Sequence, residues 1–373
     1  MKKRTLSDMA IITMGQSPDS SSYNENCSGL PFFQGNAGFG DVHPHTQIFC
    51  SSPKKTAIPG DVLISVRAPI GAVNIADQKC CIGRGLAAIT PLSDSNTGFI
   101  FYFLKSKTKI LQSKGTGTTF KAIGKDILGK LSFPDYPLSQ QKQIAMRLDK
   151  IQELVSLQKE QIRKLEQLVK SRFMEMFGDP MLSTKFPRAT LRNCGIWQTG
   201  GTPSRQHPEY FGGKQPWITT IALNKLYVGK ENAVDFITDI GLKNSSTKII
   251  PPNSLLFAIR VAVGRVSINI CELCTNQDIV SLTLKSIKQW NLTYLYFMFR
   301  LSERYFIDKS RGATIKGITS DVIKDFPIIA APLPLQKQFA EFVEKAETQK
   351  ALLEKRLNRL ETLYKSLMQQ YFG

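Results

Sequence analysis

Histidine is nearly missing from this chain, at three in 373 residues, and with it goes most of the means to assemble a nucleophile with its base or an imidazole metal site. His43 and His45 alternate on a predicted loop, and His207 stands alone. No G-x-S-x-G elbow occurs. The seven cysteines, at 27, 50, 80, 81, 194, 271 and 274, form an odd set, and the lone Cys271-x-x-Cys274 has no second pair or histidine at ligand spacing. That pattern predicts reduced packing thiols and no metal. A phosphate-binding loop is absent too, because Gly124-Lys125 runs into Asp126 and its glycine spacing is wrong, so ATP-driven work is not encoded. No N-P-P-[Y/F] tetrapeptide is present, and Pro134-Asp135 lacks the downstream Glu-x-Lys of a metal-dependent nuclease core. Phe33-Gln34-Gly35-Asn36 and Gly38-Phe39-Gly40 lack the strand-then-helix setting of a cofactor loop and read as turns. Nor does any stretch approach the ~20 apolar residues of a membrane-spanning helix. The basic start Met1-Lys2-Lys3-Arg4 is followed by Asp8 and only a short apolar Met9 to Ile12, so no secretory leader is read and the expected location is the cytoplasm. These absences describe a chain that binds rather than catalyses.

What is abundant is positive charge. Lys and Arg number 49 against 30 Asp and Glu, a net +19, of which +14 falls on residues 1–137 and 179–332. A field of that sign favours a polyanion, and with no basic amphipathic lipid-binding segment in view, nucleic acid outranks a membrane surface. Solubility alone is the plainer explanation of the same charge.

The sequence is also written twice. Pro59 to Val73 (PGDVLISVRAPIGAV) matches Pro252 to Val266 (PNSLLFAIRVAVGRV) at an offset of 193 residues without a gap. Leu138 to Gly178 and Leu333 to Gly373, at an offset of 195, both open on a Gln-Lys-Gln triplet (Gln141 to Gln143, Gln336 to Gln338) and close on Phe-Gly. A period of roughly 180 residues is too long for a solenoid and fits two modules, each a domain followed by a helix. Alternating apolar residues predict strands at Val62 to Val66, Val73 to Ile75, Leu255 to Ile259 and Arg265 to Ile270, with short helices at Gly98 to Lys109 and Trp290 to Arg304. Prolines 134, 137, 180, 187, 327, 332 and 334 mark the boundaries. The fold class read from this is α+β, with two mixed α/β domains at 1–137 and 179–332 and two long helices at 138–178 and 333–373.

Those helices carry heptads. Ile144, Leu148, Ile151, Val155, Gln158, Ile162, Leu165, Val169, Arg172 and Met176 step 4-3-4-3, and in register Phe339, Val343, Ala346, Lys350, Leu353, Leu357, Leu360, Tyr364, Leu367 and Tyr371 do the same. Each segment would be about 60 Å long at 1.5 Å per residue, more than a small domain needs for its own core. Since a whole domain separates them, the chain can return and pair the helices as an antiparallel coiled coil under a pseudo-two-fold internal repeat. Heptads do not name their mate, so a separate partner protein for each helix is the other reading.

The Gly200-Gly201-Thr202-Pro203-Ser204 loop, the Pro216-Trp217-Ile218 run, the Thr275-Asn276-Gln277 triplet, the P-L-x-x-Q-x-Q entry to each long helix and the duplication together resemble the specificity subunit of type I restriction-modification enzymes. The similarity covers nearly the whole chain. The resemblance implies two target recognition domains that each read one half of a split DNA site, and paired helices that fix the spacer. It also implies partners: double-stranded DNA, two methylation subunits and the motor-nuclease restriction subunits. S-adenosylmethionine, ATP and Mg would then sit on those subunits and none on this chain, and the methylated base would be an adenine flipped into the methylation subunit.

Reading base edges needs Arg, Lys, Asn or Gln offered from loops on a rigid scaffold. In the first half the candidates are Arg67, Arg84 and Lys121; in the second they are Arg260, Arg265, Asn276, Gln277, Arg311 and Lys316, with Thr202, Ser204 and Arg205 from the Gly-Gly-Thr-Pro-Ser loop. Thr118 and Thr119 beside Lys121, and Thr314 beside Lys316, suit phosphate contact. The framework repeats but the loops do not: Gly15-Gln16-Ser17-Pro18 stands where the second half has Gly200 to Pro203, and Gly83-Arg84-Gly85 where it has Asn276-Gln277-Asp278. An asymmetric two-part target is therefore expected. A free-standing DNA-binding regulator and a degraded fusion enzyme are the other classes that the same residues allow.

Overall fold

In a computed structural model of the chain, residues 3–115, 122–312 and 317–373 are described. The chain divides into two compact units, Met1–Glu160 with Glu354–Gly373, and Gln161–Leu353.

In the first unit a four-stranded antiparallel sheet runs in the order Ala10–Met14, Leu86–Pro91, Val62–Ser65, Val73–Ile75. Alternate side chains leave a strand on opposite faces, and here both faces are covered. Val62, Ile64, Ala87 and Ile89 join a core with the helix Thr97–Ser106, whereas Leu63, Leu86 and Ala88 pack with Phe33, Ala57 and Ile82 from a second sheet of five short strands. Burial on both sides explains why Val62 to Ser65 has no polar alternation.

The second unit repeats this plan. Its five-stranded sheet runs Gly195–Thr199, Ile279–Leu284, Ser254–Ala258, Val266–Asn269, Tyr227–Val228, beside a three-stranded sheet of Asp235–Ile237, Phe211–Ile218 and Cys274–Thr275. Register repeats as well: Leu63 pairs with Ala88 in one unit and Leu256 with Ser281 in the other, each at the 193-residue offset.

The short helices begin differently from the sequence expectation. The first starts at Thr97 and gives way at Lys107 to a second piece, Thr108–Lys114; its counterpart runs Leu292–Leu301 rather than from Trp290. The reason is capping. The Asn96 and Asn291 side chains accept from the N–H groups of Phe99 and Tyr294, both at 3.0 Å, which satisfies an otherwise orphaned donor and fixes the start.

The long helices span Leu138–Phe177 and Leu333–Phe372. In the first unit Arg147 donates to the Tyr371 hydroxyl at 3.2 Å and Lys159 meets Glu361 at 3.2 Å. In the second, Lys350 meets Glu166 at 2.6 Å and the Phe173 and Phe339 rings lie 5.3 Å apart. Numbers that rise along one helix fall along the other, so the pairing in each unit is antiparallel. All twenty heptad positions are buried or half-buried, while Met146, Leu157, Leu168, Leu352 and Leu363, off the seam, are exposed.

Two features that the sequence shows only as repeats are structural anchors. Gln141 and Gln336 are buried, and each amide does the same work. Gln141 accepts from the Asn96 N–H and donates to the carbonyls of Asp94 and Tyr136; Gln336 accepts from Asn291 and donates to Gln289 and Ala331, all within 2.7–3.2 Å. The root of each long helix is thereby stapled to the capped start of a short one. The terminal Phe-Gly is the second anchor. Phe372 packs 5.2 Å from Phe99 in the first unit, and Phe177 packs 4.7 Å from Tyr294 in the second. Each such ring contributes roughly 1.5–3 kcal/mol by burial. Among the described residues no helix is long and apolar enough to cross a membrane.

Candidate nucleic-acid interface

Three motifs separated by up to 75 residues meet in the second unit. The Gly200 N–H donates to the Ile279 carbonyl (3.0 Å) and the Gly201 N–H to that of Thr275 (2.8 Å), while Trp217 Nε1 donates back to the Gly201 carbonyl at 3.0 Å. Trp217 and Ile218 pair in parallel with Cys274 and Thr275. A Cβ on Gly200 would lie 2.2 Å from the Asn276 carbonyl oxygen, so only glycine permits this approach. The Thr202 hydroxyl then donates to Gln277 Oε1. The first unit ties the equivalent knot with other residues: the Gly15 N–H donates to Leu86 (2.9 Å), Gln16 to Ile82 (3.0 Å), and Ser17 Oγ accepts from the Arg84 N–H at 3.2 Å.

At equivalent positions the knots present different exposed side chains, Arg84 in the first unit and Gln277 in the second. Beside it ends the strand that precedes Arg67 or Arg260. Val66 donates to the Gly85 carbonyl at 2.9 Å and accepts from Ile123 at 3.0 Å; Ile259 donates to Asp278 at 2.8 Å and accepts from Ile318 at 2.9 Å. The backbones of Arg67 and Arg260 serve the framework equally, through bridges to Ala122 and Gly317. Their side chains are exposed, and among the described residues they form no hydrogen bond or ion pair.

In the second unit this arrangement opens into a cleft of about 840 Å³ lined by Arg260, Val261, Gln277, Asp278, Lys309 and Arg311, with Gly317 to Thr319 and Val322. Arg260, Gln277 and Arg311 were expected from sequence and are brought together here. Lys309 and Val261 were not. Lys309 ends the helix Glu303–Lys309 one residue before Ser310-Arg311, and that adjacency was the available signal. Val261 had none, because it sits at φ +62°, a region that a β-branched residue enters at a cost of about 1–2 kcal/mol. Three cations against the one carboxylate of Asp278, which accepts from the Asn276 amide at 3.0 Å, make the cleft electropositive.

Other expected residues are placed otherwise. Arg205 pairs with Asp235 at 2.7 Å and its guanidinium lies 4.0 Å from the Phe211 ring centre, so its charge is already engaged. Ser204 Oγ accepts from the Gln206 N–H at 3.3 Å within its own turn. Asn276 is half-buried and held to Asp278. Arg265 is exposed and lies outside the cleft. Thr118, Thr119, Lys121, Thr314 and Lys316 lie outside the described residues.

Burial pushes the thiols of Cys80, Cys81 and Cys274 up to about 12, so none is a ready thiolate ligand at neutral pH. Among the described residues no three His, Cys, Asp or Glu side chains are grouped to hold a metal ion.

Residues 1–167 and 194–362 match the family model of the type I restriction modification DNA specificity domain, and the chain belongs to that family. It is 44% identical over 162 residues to a putative type I restriction enzyme MjaX specificity subunit of Methanocaldococcus jannaschii, a match covering 42% of this chain and 38% of that protein. It is 27% identical over 227 residues to the EcoR124I/EcoR124II specificity subunit of Escherichia coli, covering 58% and 54%. The chain thus spans between 38% and 54% of the length of these curated relatives. Among solved structures, the S subunit of a type I restriction-modification system from M. genitalium aligns over 100% of this chain and 96% of that one, with a TM-score of 0.66 at 14% identity, a likeness of fold.

Proposed function

We propose that the chain is the DNA-reading subunit of a type I restriction-modification assembly and that each unit recognises one part of an asymmetric, two-part target. One observation carries this reading: the same framework position holds, in each unit, an exposed arginine that is unpaired among the described residues, Arg67 and Arg260, while the side chains around the two differ. Charges held in water without a partner are free to meet phosphates and base edges. The paired long helices would set the spacing between half-sites and carry two methylation subunits, with restriction subunits joining them. S-adenosylmethionine, ATP and Mg would belong to those subunits.

The exposed leucines favour an assembly over a free-standing regulator. Leu157 and Leu363 in the first unit correspond, at the 195-residue offset, to Leu352 and Leu168 in the second, and all four lie off the seam in solvent. Single exposed leucines are ordinary on a protein surface; it is their recurrence at equivalent positions of both long helices that suits two copies of one partner.

The test uses the chain assembled with a methylation subunit from the same source, on the site found by sequencing methylated genomic DNA. Replacing Arg260 and Arg311 by alanine should weaken binding at least ten-fold and lower the salt slope by about 0.9 for each phosphate that is no longer neutralised. Unchanged binding, or a footprint on a perfect palindrome, would refute the reading. Tight binding by the chain alone would favour the regulator, and micromolar binding of S-adenosylmethionine to the chain alone would overturn the assignment of cofactors.

A further inference from the structure

We propose that Val261 is a specificity-determining residue that reads a thymine, its isopropyl group meeting the C5-methyl of that base in the half-site taken by the second unit. The inference rests on the DNA-reading function proposed above. The Ala262 N–H donates to the Arg260 carbonyl at 2.6 Å across Val261 at φ +62°, which describes a three-residue turn of the rare, strained kind. Its flanks are anchored. Ile259 is tied to Asp278, Ala262 packs against the core that holds Ile218 and Leu256, and Val263 is buried. Val261 is turned out beside the exposed Arg260, 71% exposed, at the lip of the cleft.

Nothing in the folded chain gains from this. A glycine would hold the same turn without strain, and an isopropyl group in water contributes no burial. The use of the side chain must come from what enters the cleft. Around it the cleft is lined by the polar or charged Arg260, Gln277, Asp278, Lys309 and Arg311; its other apolar side chains, Ile318 and Val322, are buried and half-buried, so Val261 is the exposed apolar one. On the major-groove edge of a base pair the one apolar group is the thymine C5-methyl, and Val261 is the exposed apolar group beside polar side chains suited to the other edges. The first unit has the smaller Ala68 at the equivalent position, so the contact belongs to the second unit.

The experiment measures binding of the full chain, assembled with its methylation subunit, to duplexes of its cognate site in which each thymine of the second unit's half-site is replaced singly by deoxyuridine. One such replacement should weaken wild-type binding about four-fold, the worth of one buried methyl group. Val261→Gly should lose about the same on the native duplex, be indifferent to that deoxyuridine, and melt no lower than wild type, so that misfolding does not account for the loss. Wild-type binding insensitive to every deoxyuridine, or a Val261→Gly variant that keeps the sensitivity, would overturn the proposal. Weakening by Val261→Gly without any deoxyuridine effect would overturn it in favour of a wedge between base steps. Val261 effects that fail while Arg260→Ala and Arg311→Ala still weaken binding sink this inference alone; if those variants also bind normally, the DNA-reading function falls with it.

Discussion

In the first unit an exposed position of the knot is an arginine between two glycines; in the second its equivalent is a glutamine between Asn276 and Asp278, lining a cleft with Lys309 and Arg311. Behind them the two units keep the same strand register, the same asparagine caps, the same buried glutamine staples and the same phenylalanine plugs. The contrast separates two demands on one duplicated chain. Packing tolerates little change, because a core at crystal-like density registers single methylenes, whereas a solvent-facing side chain on a fixed backbone can be exchanged at small cost.

The equivalence of the plugs is the easiest part to break. Phe177→Ala and Phe372→Ala should each lose about 3–5 kcal/mol, read as a drop in the unfolding midpoint. A loss under about 1 kcal/mol for either would mean that the two helix ends are not seated alike. Next come the staples. Gln141→Ala and Gln336→Ala each leave a part-buried backbone N–H and two carbonyls without their partner, and should cost roughly 1–3 kcal/mol. Equal losses in denaturant titration are expected, and a marked inequality would show that only one root is clamped.

The exchange of Arg84→Gln and Gln277→Arg should leave stability within about 0.5 kcal/mol but alter which base each half-site prefers. The discrimination at stake is about 1–3 kcal/mol for a bidentate contact, measured by binding to half-site variants. Unchanged preference in both halves would remove these positions from base reading.

The smallest effect expected is electrostatic. The Arg192 hydrogen bonds, at 2.6 and 2.5 Å, hold the Asp325 carboxyl below the usual carboxylate range, and Arg4 does the same for Asp94 at 2.8 Å. A depressed folded-state pKa adds stability above the ordinary carboxylate value of about 4, and that stability is lost as the pH falls through the folded value. Arg192→Ala and Arg4→Ala should therefore flatten the acid limb of the melting temperature against pH, with little change in its shape above neutrality. Both pairs are solvent-exposed, so the shifts should be slight and fade in salt. A large effect at low pH would mean that these pairs are less accessible to water than their geometry indicates.

Much of this architecture is legible in the residues because it follows local rules. Heptad spacing identified the seam of both long helices, and the ungapped match around Pro59 and Pro252 identified equivalent strands. Less legible were Phe173, Phe177 and Phe372, which lie off the heptad and are buried because they join the globular cores, Phe173 and Phe177 between Tyr294 and, on the partner helix, Phe339. Gln141 and Gln336 stood out in the sequence only as the start of a repeated triplet, yet bridge elements 45 residues away. Arg205 looked as available as Arg260 until Asp235 and Phe211 were seen beside it.

The sequence by itself determined the duplication, the strand and helix periods, the excess of positive charge and the absence of catalytic motifs, since each of these depends on residue type and spacing along the chain. Only the tertiary structure decided which cations stay unpaired among the described residues, that Gly200, Trp217 and Gln277 share one knot, and that Val261 is turned outward on a strained turn. Those outcomes depend on distances between residues far apart in the chain and on a backbone angle that valine's own preferences oppose, and neither is set by local propensity.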